Sequence, residues 1–189
     1  MKLSAVLLAG GESRRMGKDK ATLRFRRKPL WQIQLTLLRQ LNPLEIIISA
    51  QTDPRWRPND TRFVADDAPS RGPLSGLAAS LAQMRGTHLL ALAIDMPFMK
   101  ARYLRSLCER TEPGCGVIPR INNRAEPLAA IYPAEARADF AMALSGTDFS
   151  LQELTRRLAE AARLRVVPVD ESDIELFRNL NDPDTLSRA

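Results

Sequence analysis

Histidine is nearly absent from this chain: among 189 residues there is one, His88, and there are only two cysteines. A zinc site built from His and Cys ligands, or a histidine-centred catalytic triad, needs more than that, so neither can be assembled. Cys108 and Cys115 are separated by six residues, Pro113-Gly114 among them, which is neither a CxxC motif nor a disulfide framework and predicts a reducing cytoplasm. Aromatic residues make up 5% of the chain, too few for a platform on which single-stranded bases stack. No apolar run is long enough to span a membrane. The run at 5–9 lacks the extended apolar region and small-residue cleavage site of a secretory signal. His88 opens an apolar run and is expected to be structural.

What is present is the balance of a soluble globular protein, 44% hydrophobic and 26% charged, long enough to bury a core without metal or disulfide staples. One domain over 1–189 is expected. Short apolar runs at 5–9, 44–49, 63–65, 89–94 and 116–119 mostly lack polar alternation, the pattern of strands buried on both faces. Helical patterns lie between them at 30–41, 74–84 and 102–108, with Pro29 and Pro73 where a first helical turn tolerates proline. The alternation predicts an α/β fold with a mostly parallel central sheet and helices on both faces. Asn122-Asn123-Arg124 predicts a hairpin turn between 116–119 and a strand at 126–132, which makes the late sheet mixed. Helices near 134–144 and 150–162 and a strand near 165–169 follow. Residues 177–186 predict a strand running into a helix capped by Asp182 with Pro183 in its first turn. In that extended segment Asn179 and Asn181 share one face and Leu180 takes the other.

Charge is concentrated in one place. Residues 12–28 hold eight Lys or Arg against two acids, an excess of +6 that equals the formal net charge of the whole chain. This stretch follows the first apolar run through Gly10-Gly11, where the absence of side chains lets backbone approach a ligand, and it carries Arg14, Arg15, Lys18 and Lys20. It is not a P-loop: five residues separate Gly11 from Gly17, and Asp19 rather than Ser or Thr follows Lys18. The GxGxxG spacing of dinucleotide folds is absent as well. A phosphate-binding loop of a third kind is predicted. In open α/β sheets ligands bind beyond the carboxyl ends of the strands, and there this sequence has Gly10-Gly11, then Asp66-Asp67, then Asp95 ahead of Met96-Pro97-Phe98. Asp95 suits magnesium, which takes one or two carboxylates together with substrate phosphates. Asp66-Asp67 could serve nucleotide, metal or only solvent. Gly72-Pro73-Leu74-Ser75-Gly76 opens a helix whose first amides can meet a polar ligand.

Together, Leu8-Ala9-Gly10-Gly11, Ser13-Arg14-Arg15-Met16-Gly17, Asp19-Lys20-Ala21, Gly72-Pro73-Leu74-Ser75-Gly76, Asp95-Met96-Pro97-Phe98, Pro127-Leu128-Ala129-Ala130-Ile131-Tyr132 and Asn179-Leu180-Asn181-Asp182-Pro183 resemble the molybdenum cofactor guanylyltransferase family, in its order and over nearly the whole chain. The resemblance implies a Rossmann-like, three-layer nucleotidyltransferase fold with a mostly parallel, partly mixed sheet. It implies GTP with Mg²⁺ as donor and transfer of GMP to the terminal phosphate of Mo-bound molybdopterin, with release of pyrophosphate. By resemblance Leu8, Ala9, Gly10 and Gly11 hold guanine and ribose, and Lys20 holds phosphates. Ser49, Asp67 and Asp95 match further nucleotide positions, Asp95 being also the metal ligand, and Asn179 and Asn181 match the pterin side. The N-terminal part is then GTP-binding and the C-terminal part molybdopterin-binding, with molybdenum-insertion proteins and molybdoenzyme chaperones as expected partners and neither nucleic acid nor membrane among them.

The chemistry fits that set, because a phosphate oxygen attacking an α-phosphorus brings two anions together. Lys20, Arg14, Arg15 and Mg²⁺ on Asp95 are the candidates that offset the repulsion, without a covalent intermediate or a protein general base. The alternatives are a relative that uses CTP or a sugar-phosphate acceptor, and a non-catalytic carrier of molybdopterin or nucleotide. A nucleic-acid-binding module ranks behind both, since the positive charge lies in one short stretch.

Overall fold

Leu3–Leu8 is buried at every position, which only a strand covered on both faces can be. In the computed structural model, which describes residues 1–10, 19–66 and 69–180, this strand, β1, lies inside an eight-stranded sheet. A small ribbon follows, β2 (Arg24–Phe25) and β3 (Lys28–Pro29), then α1 (Leu30–Arg39), β4 (Glu45–Ala50) and β5 (Arg62–Ala65). Next come α2 (Pro73–Gln83), β6 (His88–Ala93), α3 (Ala101–Cys108), β7 (Gly116–Ile121), β8 (Arg124–Ala125) and β9 (Ile131–Pro133). The chain continues through α4 (Arg137–Ser145), α5 (Leu151–Glu160), β10 (Leu164–Pro168) and a 3₁₀ segment, Glu171–Phe177.

The sheet runs β10-β7-β9-β6-β1-β4-β5, with β8 paired to β7. β1 is parallel to both β4 and β6, β4 to β5 and β7 to β10, while β9 is antiparallel to β6 and β7. The sheet is therefore mostly parallel and partly mixed, as the sequence predicts. Each face buries its own apolar layer. Leu3, Ala5 and Leu7 pack with Leu30, Leu35 and Leu38 of α1 and Leu104 and Leu107 of α3. Val6 and Leu8 pack on the other side with Leu74, Leu77 and Leu81 of α2, Phe140 of α4 and Leu154 and Leu158 of α5. Two apolar faces per strand are the reason that polar alternation is missing.

Most predicted elements are present within a residue or two. Pro73 is the first residue of α2, after Gly72 at φ 66°, whereas Pro29 sits one position before α1, as its cap residue. Asn122, at φ 52°, and Asn123 form the turn of the β7–β8 hairpin, with Ile121 opposite Arg124. His88 is buried at the start of β6 between the Thr87 hydroxyl and the Glu112 carbonyl, each 3.1 Å from a ring nitrogen, and is structural.

Two predictions need correction. The strand expected at 126–132 is interrupted: Pro127 has no amide to donate, Ala129 N–H turns back to Glu126 C=O, and regular pairing resumes only at Ile131. The strand expected from 177 is not a ladder strand either. Phe177 closes the 3₁₀ segment and residues 178–180 run outside every sheet, where Leu180 N–H donates to Asp95 C=O at 2.9 Å. Leu180 is buried while Arg178 and Asn179 are exposed, and Asn181 lies outside the described residues. The expected cap at Asp182-Pro183 lies outside the described residues.

Candidate functional site

The carboxyl ends of β1, β4, β5 and β6 lie side by side, because these four parallel strands are neighbours in the sheet. β1 ends in a turn whose amides are consumed internally: Ala9 N–H and Gly10 N–H both donate to Ser49 C=O, at 2.9 and 3.1 Å, while Leu8 C=O accepts from Ile94 N–H. Among the described residues nothing donates to the carbonyls of Ala9 and Gly10. Residues 9 and 10 therefore offer acceptors rather than donors.

Beside it, the Ser49 hydroxyl donates to the Asp66 carboxylate at 2.6 Å, and Asp66 N–H donates to Ala50 C=O. Two glycines make room for that carboxylate. A Cβ on Gly10 would stand 2.7 Å from Asp66 Oδ2, and one on Gly76 of α2 would stand 2.5 Å from Ser49 Oγ and 3.0 Å from Asp66 Oδ1. Gly10 thus serves first the approach of Asp66, and Gly76 lets α2 pass over the end of the sheet. Asp67 lies outside the described residues, and it is Asp66 that Ser49 meets. Ser49 is itself completely buried and its hydroxyl donates to Asp66, so it orients that carboxylate.

On the other side of β1 the Lys20 ammonium lies 3.3 Å from Asp95 Oδ2, both side chains partly exposed at 30% and 16%. Lys20 begins a short 3₁₀ turn capped by Asp19, whose carboxylate accepts from Ala21 N–H and from the Trp56 indole N–H, each at 2.9 Å. Trp56 stacks on Trp31 of α1 with ring centroids 5.6 Å apart. Lys20 is therefore held by a scaffold from three parts of the chain, and neither tryptophan carries a sequence pattern that announces it. Asp95 C=O receives Leu180 N–H, which places exposed Asn179 in the segment stitched to Asp95. The Arg178 guanidinium, in the same segment, stacks 4.2 Å above the Phe98 ring.

Of the residues singled out in the sequence, the fold gathers Leu8, Ala9, Gly10, Lys20, Ser49, Asp95 and Asn179 at this edge. Leu8 contributes a side chain almost fully buried under α2. Gly11, Arg14, Arg15, Asp67 and Asn181 lie outside the described residues. No cluster of three His, Cys, Asp or Glu side chains that could cage a metal exists among the described residues, and no described helix is long and apolar enough to cross a membrane.

A three-layer α/β fold with a glycine turn, a lysine and two separate carboxylates at the strand ends defines a nucleotidyltransferase-class enzyme. The sequence model of the MobA-like NTP transferase domain matches residues 5–168, and the chain belongs to that family. It is 35% identical to a probable molybdenum cofactor guanylyltransferase of Opitutus terrae, over 98% of this chain and 94% of that one. It is 31% identical to the molybdenum cofactor guanylyltransferase of Xanthomonas euvesicatoria, over 98% and 93%. Among solved structures it is similar to molybdopterin-guanine dinucleotide biosynthesis protein A from Archaeoglobus fulgidus, with a TM-score of 0.77 and 25% identity over 98% of this chain and 95% of that one.

Proposed function

We propose that this protein transfers GMP from GTP to the terminal phosphate of Mo-bound molybdopterin and releases pyrophosphate. One observation carries the reading: Asp95 meets the Lys20 ammonium through its side chain and the Asn179-bearing segment through its carbonyl, so a single residue links a phosphate-side cation to the C-terminal strip. The N-terminal part then binds the nucleotide and the C-terminal part the pterin. The carbonyls of Ala9 and Gly10, to which no described residue donates, suit guanine, whose Watson–Crick edge offers N–H donors, and the Asp66 carboxylate lies beside them.

In the transfer, an oxygen of the acceptor phosphate forms a bond to the α-phosphorus of GTP while the bond from that phosphorus to the pyrophosphate oxygen breaks. The acceptor is already ionised at neutral pH, so no protein base has to remove a proton. Lys20 offsets the charge gathering between the two substrates, and Arg14 and Arg15 are proposed to assist it. One partly exposed carboxylate, with no acidic cage around it among the described residues, fits a Mg²⁺ ion held largely by substrate phosphates, and Asp95 would be its protein ligand. When bound, the ion would supply charge neutralisation to the leaving pyrophosphate. Molybdenum-insertion proteins and molybdoenzyme chaperones remain the proposed protein partners, in the cytoplasm.

The test is to incubate the protein with molybdopterin, magnesium and each nucleoside triphosphate separately and to identify the product by mass. GTP is expected to give the guanine dinucleotide. Equal or better product from CTP overturns the guanylyl assignment, and binding of both substrates without product establishes a carrier instead.

A further inference from the structure

The β2–β3 ribbon turns through Arg26 and Arg27, which have φ values of 48° and 67°. Two consecutive left-handed residues between paired Phe25 and Lys28 form the tight hairpin turn that favours Asn-Gly, because a Cβ is strained in that region. Neither arginine relieves the strain through a local bond of the kind that Asn makes. The ribbon is cationic in four of the five residues 24–28, and Arg24, Arg26, Arg27 and Lys28 are all exposed. None of the four has an acidic partner among the described residues, which is also true of exposed Arg55, Arg110 and Arg120, but here four such cations fall within five positions, whereas Arg39 pairs with Asp60 and Arg102 with Asp173.

Beside the turn runs a groove of about 450 Å³. Its floor is apolar, from partly exposed Ile33 with the largely buried Phe25, Leu37, Pro97 and Met99, and its rim carries Arg26, whose guanidinium lies 5.2 Å from the Phe25 ring centroid, with Lys28, Thr36 and Gln40. A site of this construction takes an anion and an apolar body together.

We infer that this turn and groove dock an acidic protein segment that inserts one bulky apolar side chain, on the flank of the segment carrying Asp95. Charge complementarity selects acidic residues for the rim, and the apolar floor selects a side chain for the groove. A polynucleotide or an anionic bilayer would engage the cations but leave that floor unfilled. Pro97 and Met99 follow Asp95 within four positions, so the docked segment lies against the same loop that holds the lysine–aspartate pair. The inference does not depend on which nucleotide or acceptor the site uses.

The test is direct binding by fluorescence anisotropy at about 150 mM salt. The probes are a labelled poly-glutamate peptide with one central Phe and the same peptide without it. Oligo-dT and phosphatidylglycerol vesicles serve as competitors. The Phe-bearing peptide is expected to bind saturably and more tightly than the plain one. The R26N/R27G variant should weaken it about tenfold or more while melting no lower than the native protein, since the turn then has its preferred residues. R26Q/R27Q, which removes the charge and leaves the backbone demand unchanged, should lose the peptide equally. The inference is overturned by native-like binding in either folded variant, by absence of saturable binding to the native protein, or by oligo-dT or vesicles displacing the peptide at lower concentration than unlabelled peptide does.

Discussion

Substituting Gly76 by Ala tests whether the end of α2 is shaped around the Ser49–Asp66 pair. In an exposed helix this change would stabilise the protein by about 0.8–1 kcal/mol through helix propensity. Here the new Cβ would stand 2.5 Å from Ser49 Oγ and 3.0 Å from both Asp66 Oδ1 and Leu8 Cδ2, in a place where Ser49 is completely buried. The helix must lift or the hydroxyl must rotate away, and rotation breaks its 2.6 Å bond to the carboxylate. Overpacking costs about 1–3 kcal/mol, and a hydrogen bond to a charged group contributes about 1.5–3 kcal/mol. The sign is therefore reversed, with a net loss of about 2–4 kcal/mol. Ser49→Ala alone loses the bond, about 1.5–3 kcal/mol, but it also removes the atom that Gly76→Ala strikes. The S49A/G76A double variant should then be little worse than S49A, a favourable coupling of about 2–3 kcal/mol that cancels most of the Gly76→Ala loss. Urea denaturation of the four proteins measures this directly. Additivity within about 0.5 kcal/mol, the behaviour of independent sites, would refute the steric account.

Replacing Asp95 with Asn or Lys20 with Ala should each lower kcat by about 100-fold or more, because charge stabilisation at the α-phosphorus is lost. Near-normal turnover in either variant sinks the role assigned to that residue. Asn179→Ala should raise KM for molybdopterin several-fold with little change in GTP affinity, read by calorimetry with each ligand. Glu126 is half-buried, and its desolvation raises its carboxyl above the ordinary range, with Arg124 opposing the shift. A raised carboxyl favours the fold below the ordinary carboxylate pKa, and that advantage is lost as pH rises through the raised value. Glu126→Gln should therefore raise the melting temperature at neutral pH and lose that gain in acid. An equal gain at both pH values contradicts the desolvation. Burial, with Glu109 nearby, pushes the Cys108 thiol up to about 11. Its alkylation rate should still climb nearly tenfold per pH unit between about pH 8 and pH 10, and a plateau in that range would refute it.

Much of this molecule is legible before folding. Local rules suffice for the strand and helix order, because runs such as 5–9 and 89–94 are apolar at every position and only a sheet covered on both faces accommodates that. Local rules also suffice for the concentration of charge after Gly10-Gly11, for Asp95 at a strand end and for the two faces of Asn179 and Leu180. They fail where a backbone group is missing or a partner is distant. Pro127 interrupts a strand that its apolar neighbours predict, since no side-chain pattern replaces an absent N–H.

Tertiary structure alone decided which groups each residue meets at the edge. Ser49 reads as a contact residue in a list of motifs, yet burial beneath α2 turns its hydroxyl toward Asp66, a choice that depends on Gly10 and Gly76 leaving the space. Lys20 reads only as one cation of a basic stretch, yet Asp19, Trp56 and Trp31 hold the turn it stands on. The sequence by itself determined the class of fold and the side of the sheet where chemistry gathers, because those follow from periodicity and strand ends. Which carboxylate, which carbonyl and which face of the C-terminal segment meet there was decided by packing across strands distant in the chain, where sequence spacing carries no information about approach.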